Sequence, residues 1–440
     1  MTAAVSGARP WRRALLWLLF LGPFFFLSYG TSNWLASKQA DVGSIVFNWE
    51  HYIPFYAWTI IPYWIIDILY VISLFICRSK RELDTHAKRL VTAQVIAVFF
   101  FVTFPLHFSF DRPETSGISG LLFTTLASFD KPYNQAPSLH IALLVILWVL
   151  YLRHLPGAYR WIFHATAILI GVSVLTTYQH HFIDIPTGAL LGWFCIWVWP
   201  DAGRSPVAVR PKDHVKRRWR IAGYYMSGAL GFIVLAILLG HAAWWLLWPA
   251  VSLVFVGCFY LFIGGEGFQK NKRGRMSLAA QWILYPYILA AKLNSRIWTR
   301  NDNAADHVVE NVWLGRFPGK QHLKGNNYAS VIDLSAELPA CSTGIPWHAF
   351  PSLDLVTPDA AVLRQAAAQI EYSNKSGPAL VSCALGYSRS ALAVIAWLLT
   401  TGRSDSLDAA IARVKQARPA LVLKKSDYQL LESIASAAGL

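Results

Sequence analysis

The chain has 440 residues, of which 55% are hydrophobic and only 14% are charged, and it contains 20 tryptophans. This composition excludes a wholly soluble protein, so we expect much of the chain to lie in lipid, and the length allows two or three domains. The net charge of +15 could indicate nucleic-acid binding. However, the basic residues lie between hydrophobic segments, as in membrane proteins, and we expect no nucleic-acid partner. The five cysteines are scattered and odd in number, so they indicate no disulfide framework.

Eight hydrophobic segments approach the roughly 20 residues that a helix needs to cross a bilayer. They lie near residues 14–30, 54–77, 91–110, 137–153, 160–179, 183–200, 221–240 and 242–264. The first segment could be a cleaved signal peptide. The run Phe24–Leu27 continues it without a small-x-small cleavage site, which favours a signal anchor.

Basic residues follow each even-numbered span, and three arginines precede the first. Those that follow are Arg78, Lys80, Arg81, Lys88 and Arg89 after the second span, Arg153 and Arg160 after the fourth, Arg204, Arg210, Lys212, Lys216, Arg217, Arg218 and Arg220 after the sixth, and Lys270, Lys272, Arg273 and Arg275 after the eighth. Because positively charged loops stay inside, this pattern predicts cytoplasmic termini and outward-facing loops after the odd-numbered spans.

The segment after the eighth span, Met276–Trp298, is hydrophobic but is interrupted by Pro286. Its uncharged part, Met276–Ala291, is 16 residues long. Because a crossing needs roughly 20 apolar residues, we predict that this segment lies in the membrane interface. The alternative is a ninth crossing, which would place the rest of the chain outside.

These patterns divide the chain into four parts. We predict a six-span membrane domain over residues 1–200, a basic linker (201–220) with two further spans over 201–275, an interfacial helix over 276–300 and a soluble domain over 301–440. The predicted fold class is an α-helical transmembrane bundle of about eight spans, followed by a cytoplasmic α/β domain.

The soluble part contains a thiol and a guanidinium separated by five residues, Cys383 and Arg389. An apolar run before them and a helix-forming run after them predict a strand, a loop and a helix. A helix N-terminus beside Arg389 binds a phosphate dianion and favours a thiolate. The same spacing also fits an ordinary turn with a core cysteine and a surface arginine. Gly386, where backbone must approach oxyanions, and Asp354, a possible general acid, favour the phosphate site.

The region from about Val308 to Ser433 resembles a dual-specificity phosphatase domain. Besides the cysteine loop, the resemblance rests on Asn311-Val312-Trp313-Leu314-Gly315, Ser330-Val331-Ile332-Asp333-Leu334 and Arg418-Pro419. The family usually has histidine immediately before the nucleophile, where this chain has Ser382.

The resemblance implies a role for each matching residue. Cys383 attacks phosphorus, and Arg389 clamps the equatorial oxygens. Asp354 protonates the leaving oxygen and then activates water, and Ser390 eases departure of the thiolate. The phosphate-binding loop also contains Gly386 and Ser388.

Two further observations bear on this site. Asp359 is a weaker alternative acid, because it lies in what reads as a helix start. The variable loop positions Ala384, Leu385 and Tyr387 are apolar, unlike loops rich in lysine or arginine that bind highly phosphorylated inositol headgroups. We therefore expect a monophosphorylated substrate near the bilayer.

Two motifs of the membrane domain are predicted at the same face of the bilayer. Pro137-Ser138-Leu139-His140 opens the fourth span, and His180-His181-Phe182-Ile183-Asp184 joins the fifth span to the sixth. The short turn between the fourth and fifth spans makes them antiparallel neighbours, so His140 and His180 can approach each other. His180 can attack phosphorus if Asp184 fixes its tautomer, while His140 protonates the leaving alkoxide and Ser138 donates to a phosphate oxygen. Single histidines near span ends are often only interfacial, but the two motifs together favour a site.

These residues resemble the type-2 phosphatidic acid phosphatase superfamily, in particular the branch that includes inositol-phosphoceramide synthase-like transferases. The resemblance covers roughly Phe47–Trp199 and carries the motifs Pro-Ser-x-His and His-x-x-x-Asp. It implies that His180 is the nucleophile, Asp184 its orienting partner and His140 the acid.

Two cationic positions of the superfamily are missing. Its first motif is half present, with Arg112-Pro113 in place but Pro105 where the lysine is expected, and Val174 replaces the arginine of its third motif. Charge-assisted contacts to phosphate are strong, so this loss matters. Lys131 is a candidate replacement, beside Arg112, for binding phosphate.

We therefore predict a phosphatase of the bacterial inner membrane with two sites, which hydrolyses lipid phosphate monoesters through a phosphohistidine in the membrane domain and a phosphocysteine in the cytoplasmic domain. In one alternative the membrane domain transfers the phosphoryl unit to an alcohol. In another it only anchors a phosphatase that acts on phosphoproteins. Neither mechanism needs a metal or other cofactor, and the expected partners are the bilayer and a phospholipid or lipid phosphate.

Overall fold

The computed structural model describes residues 9–209 and 216–439. The chain forms two compact units. The first contains the residues up to Ser205 together with Gly240–Ala242, and the second contains Pro206–Leu239 and Ala243–Leu440. The basic residues Arg210 and Lys212 of the predicted linker lie outside the described residues. The second unit joins the last two predicted spans to the soluble domain.

The first unit is helical, and each of the first six predicted spans contains a helix. The helices are α1 (Trp11–Ala36), α2 (Ile60–Ile76), α3 (Lys80–Thr103), a short additional α4 (Gly117–Ala127), α5 (Leu139–His154), α6 (Gly157–Thr176) and α7 (Asp184–Val198). Among the residues described, six segments of the whole chain are long and apolar enough to cross a membrane, namely Trp11–Ala36, Ala57–Ile76, Lys80–Thr103, Gly157–Thr176, Arg218–Leu239 and Ala242–Ile263. Helices α5 and α7 have only 16 and 15 residues, so the count of eight spans stays a prediction.

Helix α3 begins 11 residues before the predicted span 91–110 because Ser79 caps it, accepting a hydrogen bond from the Glu82 N–H at 3.2 Å. The basic residues from Lys80 to Arg89 therefore lie on a helix rather than in a loop. Arg89 is fully buried and donates to the Trp199 carbonyl at 2.9 Å and 2.6 Å. This arginine joins the first half of α3 to the end of α7 instead of facing the solvent.

Helices α5 and α7 pack closely through two glycines. A Cβ atom at Gly188 would lie 2.4 Å from the Ser138 carbonyl oxygen, and one at Gly192 would lie 2.7 Å from the Ala142 carbonyl oxygen. Small residues four apart on one helix face permit such close approach of two backbones. The expected contact between α5 and α6 is also present, but the packing of α5 against α7 brings the two histidine motifs together.

The second unit begins with two long helices that pack against each other, α8 (Lys216–Leu239) and α9 (Leu247–Cys258). A π-helical turn, Phe259–Ile263, extends α9. A hairpin over residues 269–277 and two short helices follow, α10 (Leu278–Ile283) and α11 (Tyr285–Trp298). Pro286 lies in the first turn of α11, where its missing N–H has no intrahelical partner to lose. A new helix therefore begins here, and the predicted interfacial helix is divided into α10 and α11.

The soluble part of this unit contains one five-stranded sheet. Its strands are β1 (Ala305–Val309), β2 (Val312–Arg316), β3 (Ser330–Ser335), β4 (Trp347–Ser352) and β5 (Ala379–Cys383), in the order β1-β2-β5-β3-β4. Only β1 is antiparallel to its neighbour. The central strand β5 is buried at every residue, as expected for a strand between parallel neighbours.

Helices cover both faces of the sheet. One core lies beneath α13 (Ala360–Ser376), α14 (Arg389–Thr400), α15 (Leu407–Ala417) and α16 (Lys425–Ala437), with Trp397 fully buried. The other core includes Phe317 and Trp347, near α12 (Lys320–Lys324), and Ala291 of α11 packs against it. The α/β class predicted for the soluble part is confirmed, and α11 belongs to its packing.

Candidate active sites

Strand β5 ends at Cys383, and the loop after it leads directly into α14. The Cys383 Sγ atom accepts hydrogen bonds from the Gly386 N–H at 3.3 Å and from the Ser390 hydroxyl at 3.2 Å. Cys383 is only 3% exposed, so these donors, rather than water, surround the sulfur. Such an arrangement suits a sulfur that carries negative charge.

Gly386 can only be glycine in this loop. Its φ angle is +80°, and a Cβ atom would lie 2.5 Å from the Gly315 carbonyl carbon on β2. The absence of a side chain at Gly386 lets the loop lie directly against the backbone of β2. Ser388 precedes α14, and its hydroxyl makes no capping hydrogen bond within the described chain.

The Arg389 guanidinium is buried and shared among three partners. It makes two parallel bonds to the Glu337 carboxylate, at 2.9 Å and 2.7 Å. It also donates to the Ser352 carbonyl at 2.7 Å, and its Nη2 atom lies 3.0 Å from the Asp354 Oδ1 atom. A bidentate carboxylate fixes the plane of a guanidinium as well as its position.

Glu337 was not predicted from the sequence. Burial alone would raise the pKa of this carboxyl group, but the Arg389 guanidinium outweighs burial and holds the pKa below its ordinary value. The available signal is its position two residues after β3, at the same end of the sheet as Cys383, the last residue of β5. Carboxyl ends of parallel strands meet at one edge, so a charged residue there can reach the arginine.

Asp354 is the most accessible charged group of this cluster, with 41% of its side chain exposed. Its backbone carbonyl accepts a hydrogen bond from the Tyr260 hydroxyl at 2.9 Å. The alternative acid, Asp359, accepts from the Ala361 N–H at 2.9 Å and caps α13. The structure therefore brings Asp354 to Arg389 and gives Asp359 a structural role.

A buried lysine lies behind this site and was also not predicted. Lys270 Nζ bonds the Asp333 carboxylate at 2.5 Å and the Ser335 carbonyl at 2.6 Å. The Trp347 indole donates to the same carboxylate at 3.0 Å. The sequence analysis counts Lys270 among the basic residues that follow the eighth span and mark the cytoplasmic side, and the structure pairs it inside the domain.

In the first unit, His180 lies between an acid and a hydroxyl. Its Nδ1 atom is 3.1 Å from the Asp184 Oδ2 atom, and its Nε2 atom is 3.2 Å from the Ser138 hydroxyl. Because a carboxylate only accepts hydrogen bonds, Nδ1 is the donor in this contact, and in the neutral ring Nε2 then has the lone pair. All three side chains are buried, and the interaction of His180 with Asp184 is the one that the sequence predicts.

His140 lies close to this group without bonding it directly. Its ring stacks on Tyr63 with centroids 4.2 Å apart. Its Nε2 atom is buried and has no hydrogen-bond partner among the described residues. An unpaired buried nitrogen is costly unless a bound group uses it.

Arg112 and Lys131, the two residues predicted to bind phosphate by their positive charge, have different surroundings. The Arg112 guanidinium lies 4.8 Å from the Phe123 ring centroid and interacts electrostatically with Tyr63 and Asp130, so it belongs to the surroundings of His140. Lys131 is exposed, and its side chain has no hydrogen bond or ion pair among the residues described. Asp130, which accepts from the Tyr29 hydroxyl at 2.8 Å, was not predicted.

The neighbouring histidine, His181, is also paired with a carboxylate. His181 Nδ1 lies 3.1 Å from the Glu50 carboxylate, and its Nε2 atom accepts from the Ser109 N–H at 3.2 Å. Both ring nitrogens are therefore occupied, which indicates a structural role. Among the residues described, no group of three or more His, Cys, Asp or Glu side chains could hold a metal ion.

Comparison with protein families identifies both parts of the chain. The model of the PAP2 superfamily matches residues 86–204, and that of the dual specificity phosphatase catalytic domain matches residues 312–433. The chain therefore contains a PAP2 superfamily domain and a dual-specificity phosphatase domain, which confirms the two resemblances at this level. Both are phosphatase domains, so the protein is a phosphoric monoester hydrolase. The branch with inositol-phosphoceramide synthase-like transferases stays a prediction.

Several solved structures are similar to part of this chain. Tk-PTP in its active form is 23% identical, with a TM-score of 0.29, and the match covers 31% of this chain and 98% of that one. Human DUSP28 is 24% identical, with a TM-score of 0.29, and covers 31% and 97%. PTPMT1 in complex with PI(5)P is 19% identical, with a TM-score of 0.28, and covers 31% and 97%. A search of curated proteins finds no match.

The Glu337–Arg389 pair predicts a pH-dependent stability. Replacing Glu337 with Gln should destabilise the full-length protein by about 3 kcal/mol at pH 7, because a buried guanidinium loses its charged partner. The pKa of Glu337 is lowered in the folded state. Its stabilisation is therefore complete above the ordinary value of 4.5 and is lost as the pH falls through the lower folded value.

Thermal unfolding of the wild type and Glu337→Gln in detergent between pH 3 and pH 8 would measure this. The melting temperatures of the two proteins should become equal at the acid end of this range. The exposed Glu432→Gln is the matched control and should unfold like the wild type throughout. A difference in melting temperature between the wild type and Glu337→Gln that stays constant or grows toward low pH would contradict the charged pair.

Proposed function

We propose that the protein hydrolyses phosphate monoesters of lipids at two sites, through a phosphocysteine in the soluble domain and a phosphohistidine in the membrane domain. The observation that carries the proposal is the grouping of Cys383, Arg389 and Asp354 at the start of α14. The sulfur accepts two hydrogen bonds there, and the guanidinium lies beside the exposed acid.

At the soluble site, the Cys383 thiolate attacks phosphorus and the bond from phosphorus to the leaving oxygen breaks. Asp354 gives its proton to that oxygen. Water then attacks the thiophosphate while Asp354 takes its proton, and the S–P bond breaks to return the thiolate. The Ser390 hydroxyl, 3.2 Å from the sulfur, stabilises the departing thiolate.

Arg389 must change one partner during this reaction. Its terminal nitrogens are directed at Glu337, the Ser352 carbonyl and Asp354. The contact with Asp354 is the one that phosphate oxygens can replace, because Asp354 is exposed while the other two partners are buried. Binding of substrate then releases Asp354, which takes up a proton from the solvent that it faces and delivers it to the leaving oxygen.

At the membrane site, His180 Nε2 attacks phosphorus and the leaving alkoxide takes a proton from His140. Water then attacks phosphorus, gives its proton to His140, and the bond between phosphorus and His180 Nε2 breaks. Asp184 holds the Nδ1 proton throughout, which keeps the lone pair on Nε2. The Ser138 hydroxyl, which lies at Nε2, turns to a phosphate oxygen, and Arg112 provides positive charge.

The apolar helices favour lipid over soluble substrates, because six described segments can cross a membrane. We place the protein in a bacterial inner membrane with its C-terminal domain in the cytoplasm. Basic residues after the even-numbered spans support this orientation. A reducing compartment also suits a catalytic cysteine.

The first test is of the cysteine site, in the full chain with His180→Ala to silence the membrane site. Cys383→Ser should lower the hydrolysis of an aryl phosphate by at least about a thousandfold, because serine is not deprotonated in this loop. Asp354→Asn should keep binding but slow turnover, by about a hundredfold or more. Hydrolysis by Cys383→Ser at the wild-type rate would refute the phosphocysteine.

The second test is of the histidine site, in the full chain with Cys383→Ser. When His140 is replaced by Ala, radiolabel from a lipid phosphate should accumulate on the protein in acid-labile form. His180→Ala should trap none. Unchanged lipid hydrolysis in both variants would leave these histidines without a catalytic role.

The third test concerns membrane orientation. Single cysteines introduced at exposed positions should differ in labelling by an impermeant maleimide in intact cells. One at Glu114 should react from outside, and one at Lys324 should react only after permeabilisation, because five of the eight predicted crossings lie between these positions. Labelling of both from outside would mean that the segment 276–298 crosses the membrane.

A further inference from the structure

Helices α10 and α11 expose a continuous apolar stripe. Six side chains follow at intervals of three or four residues, the spacing of one helix face, and Trp298 directly follows the last of them. Each is between 50% and 68% exposed: Leu278, Trp282, Tyr285, Leu289, Leu293, Ile297 and Trp298. Soluble proteins rarely leave so long a row of large apolar side chains in water. We call this row the apolar stripe.

The stripe is continuous with a helix that is apolar enough to cross the membrane. The Trp248 ring of α9 stacks near Trp282 and Tyr285, with centroids 6.5 Å and 5.8 Å apart. The Trp248 indole also donates to the Trp282 carbonyl at 3.1 Å. Lys292 and Arg300 are exposed on the same segment. Aromatic rings and flanking cations of this kind are typical of a helix in the headgroup layer.

The opposite face of α11 holds the catalytic loop. Its inward residues Ile288 and Ser295 are buried, and the Ser295 hydroxyl donates to the Ala384 carbonyl at 2.5 Å. Ala384 directly follows the nucleophile. The Tyr387 hydroxyl, from the same loop, donates to the Trp298 carbonyl at 3.2 Å and bonds Asp302. One short helix therefore has the apolar stripe on one side and the catalytic loop on the other.

The end of α9 holds the other side of the site. Tyr260 lies in the π-helical turn, and its hydroxyl donates to the Asp354 carbonyl. Gly265 follows closely, and a Cβ atom there would lie 3.0 Å from the Pro351 carbonyl oxygen. The acid and the nucleophile loop are thus both attached to the segment that joins α9 to the soluble domain.

We propose that the apolar stripe lies in the bilayer surface and fixes the cysteine site there, so that this site is selective for phosphate monoesters of lipids that remain in the bilayer. This proposal rests on the proposed function of the same site and adds its mode of substrate selection. A bilayer, rather than a partner protein, is the occupant because the stripe continues from α9 and is flanked by cations. The lipid phosphate then reaches Cys383 without leaving the membrane surface.

The test uses the full chain in anionic phospholipid vesicles, with His180→Ala to silence the membrane site. Leu289→Ser/Leu293→Ser changes the centre of the stripe, and Tyr372→Ser/Val422→Ser is the matched control, since these two exposed side chains lie outside the stripe. Each protein is given two substrates: a phosphatidic acid carried in the same vesicles, and a water-soluble aryl phosphate.

The stripe variant should lose at least about tenfold in kcat/KM for the vesicle lipid, because less apolar surface holds the site at the bilayer. Its hydrolysis of the aryl phosphate should change by less than about twofold, and the control should match the parent on both substrates. A partner protein cannot explain such a result in a purified system.

Three outcomes would overturn the proposal. They are equal losses on both substrates, which would mean a structural role for the stripe; no loss on the lipid; and a parent protein that hydrolyses only the aryl phosphate. Failure of the proposed function would appear differently, as aryl phosphate hydrolysis that survives Cys383→Ser.

Discussion

The bidentate contact between Arg389 and Glu337 is the interaction on which the soluble site depends. A guanidinium that is 3% exposed requires a charged partner, because an unpaired buried charge costs several kcal/mol. Glu337 supplies that partner from the end of β3 and fixes the plane of the guanidinium. One edge of the guanidinium then remains for Asp354. The pair therefore prepares a site in which phosphate can replace a single exposed carboxylate.

A second buried charge pair joins the sheet to the segment that precedes it. Lys270 satisfies Asp333 at the end of β3, only four residues before Glu337. Lys270 lies in the hairpin that precedes α10. The backbone of this hairpin also bonds the edge strand β4, because the Ala349 N–H donates to the Lys272 carbonyl at 2.9 Å. Residues between α9 and the sheet thus complete the soluble domain. A boundary drawn at residue 300 would remove the lysine and leave a buried aspartate without its charged partner.

Local patterns in the sequence predicted those parts of the sites that depend on near neighbours. Cys383 and Arg389 are joined by one loop, and His180 and Asp184 are four residues apart, so their spacing limits their geometry. Glu337 and Lys270 could not be predicted in this way, because each meets its partner across more than fifty residues. Their contacts follow from the order of the strands, which spacing does not determine. Likewise, the glycines of α7 that bring Ser138 to His180 read in the sequence as ordinary span residues.

A structure of the protein with bound vanadate would test the central claim most directly. The account predicts a bond between vanadium and the Cys383 sulfur, with Arg389 still paired to Glu337. The Nη2 atom, now 3.0 Å from the Asp354 carboxylate, should contact vanadate oxygens instead, and Asp354 should face the apical oxygen. Vanadate bound away from Cys383, with the contact between Arg389 and Asp354 unchanged, would contradict the account.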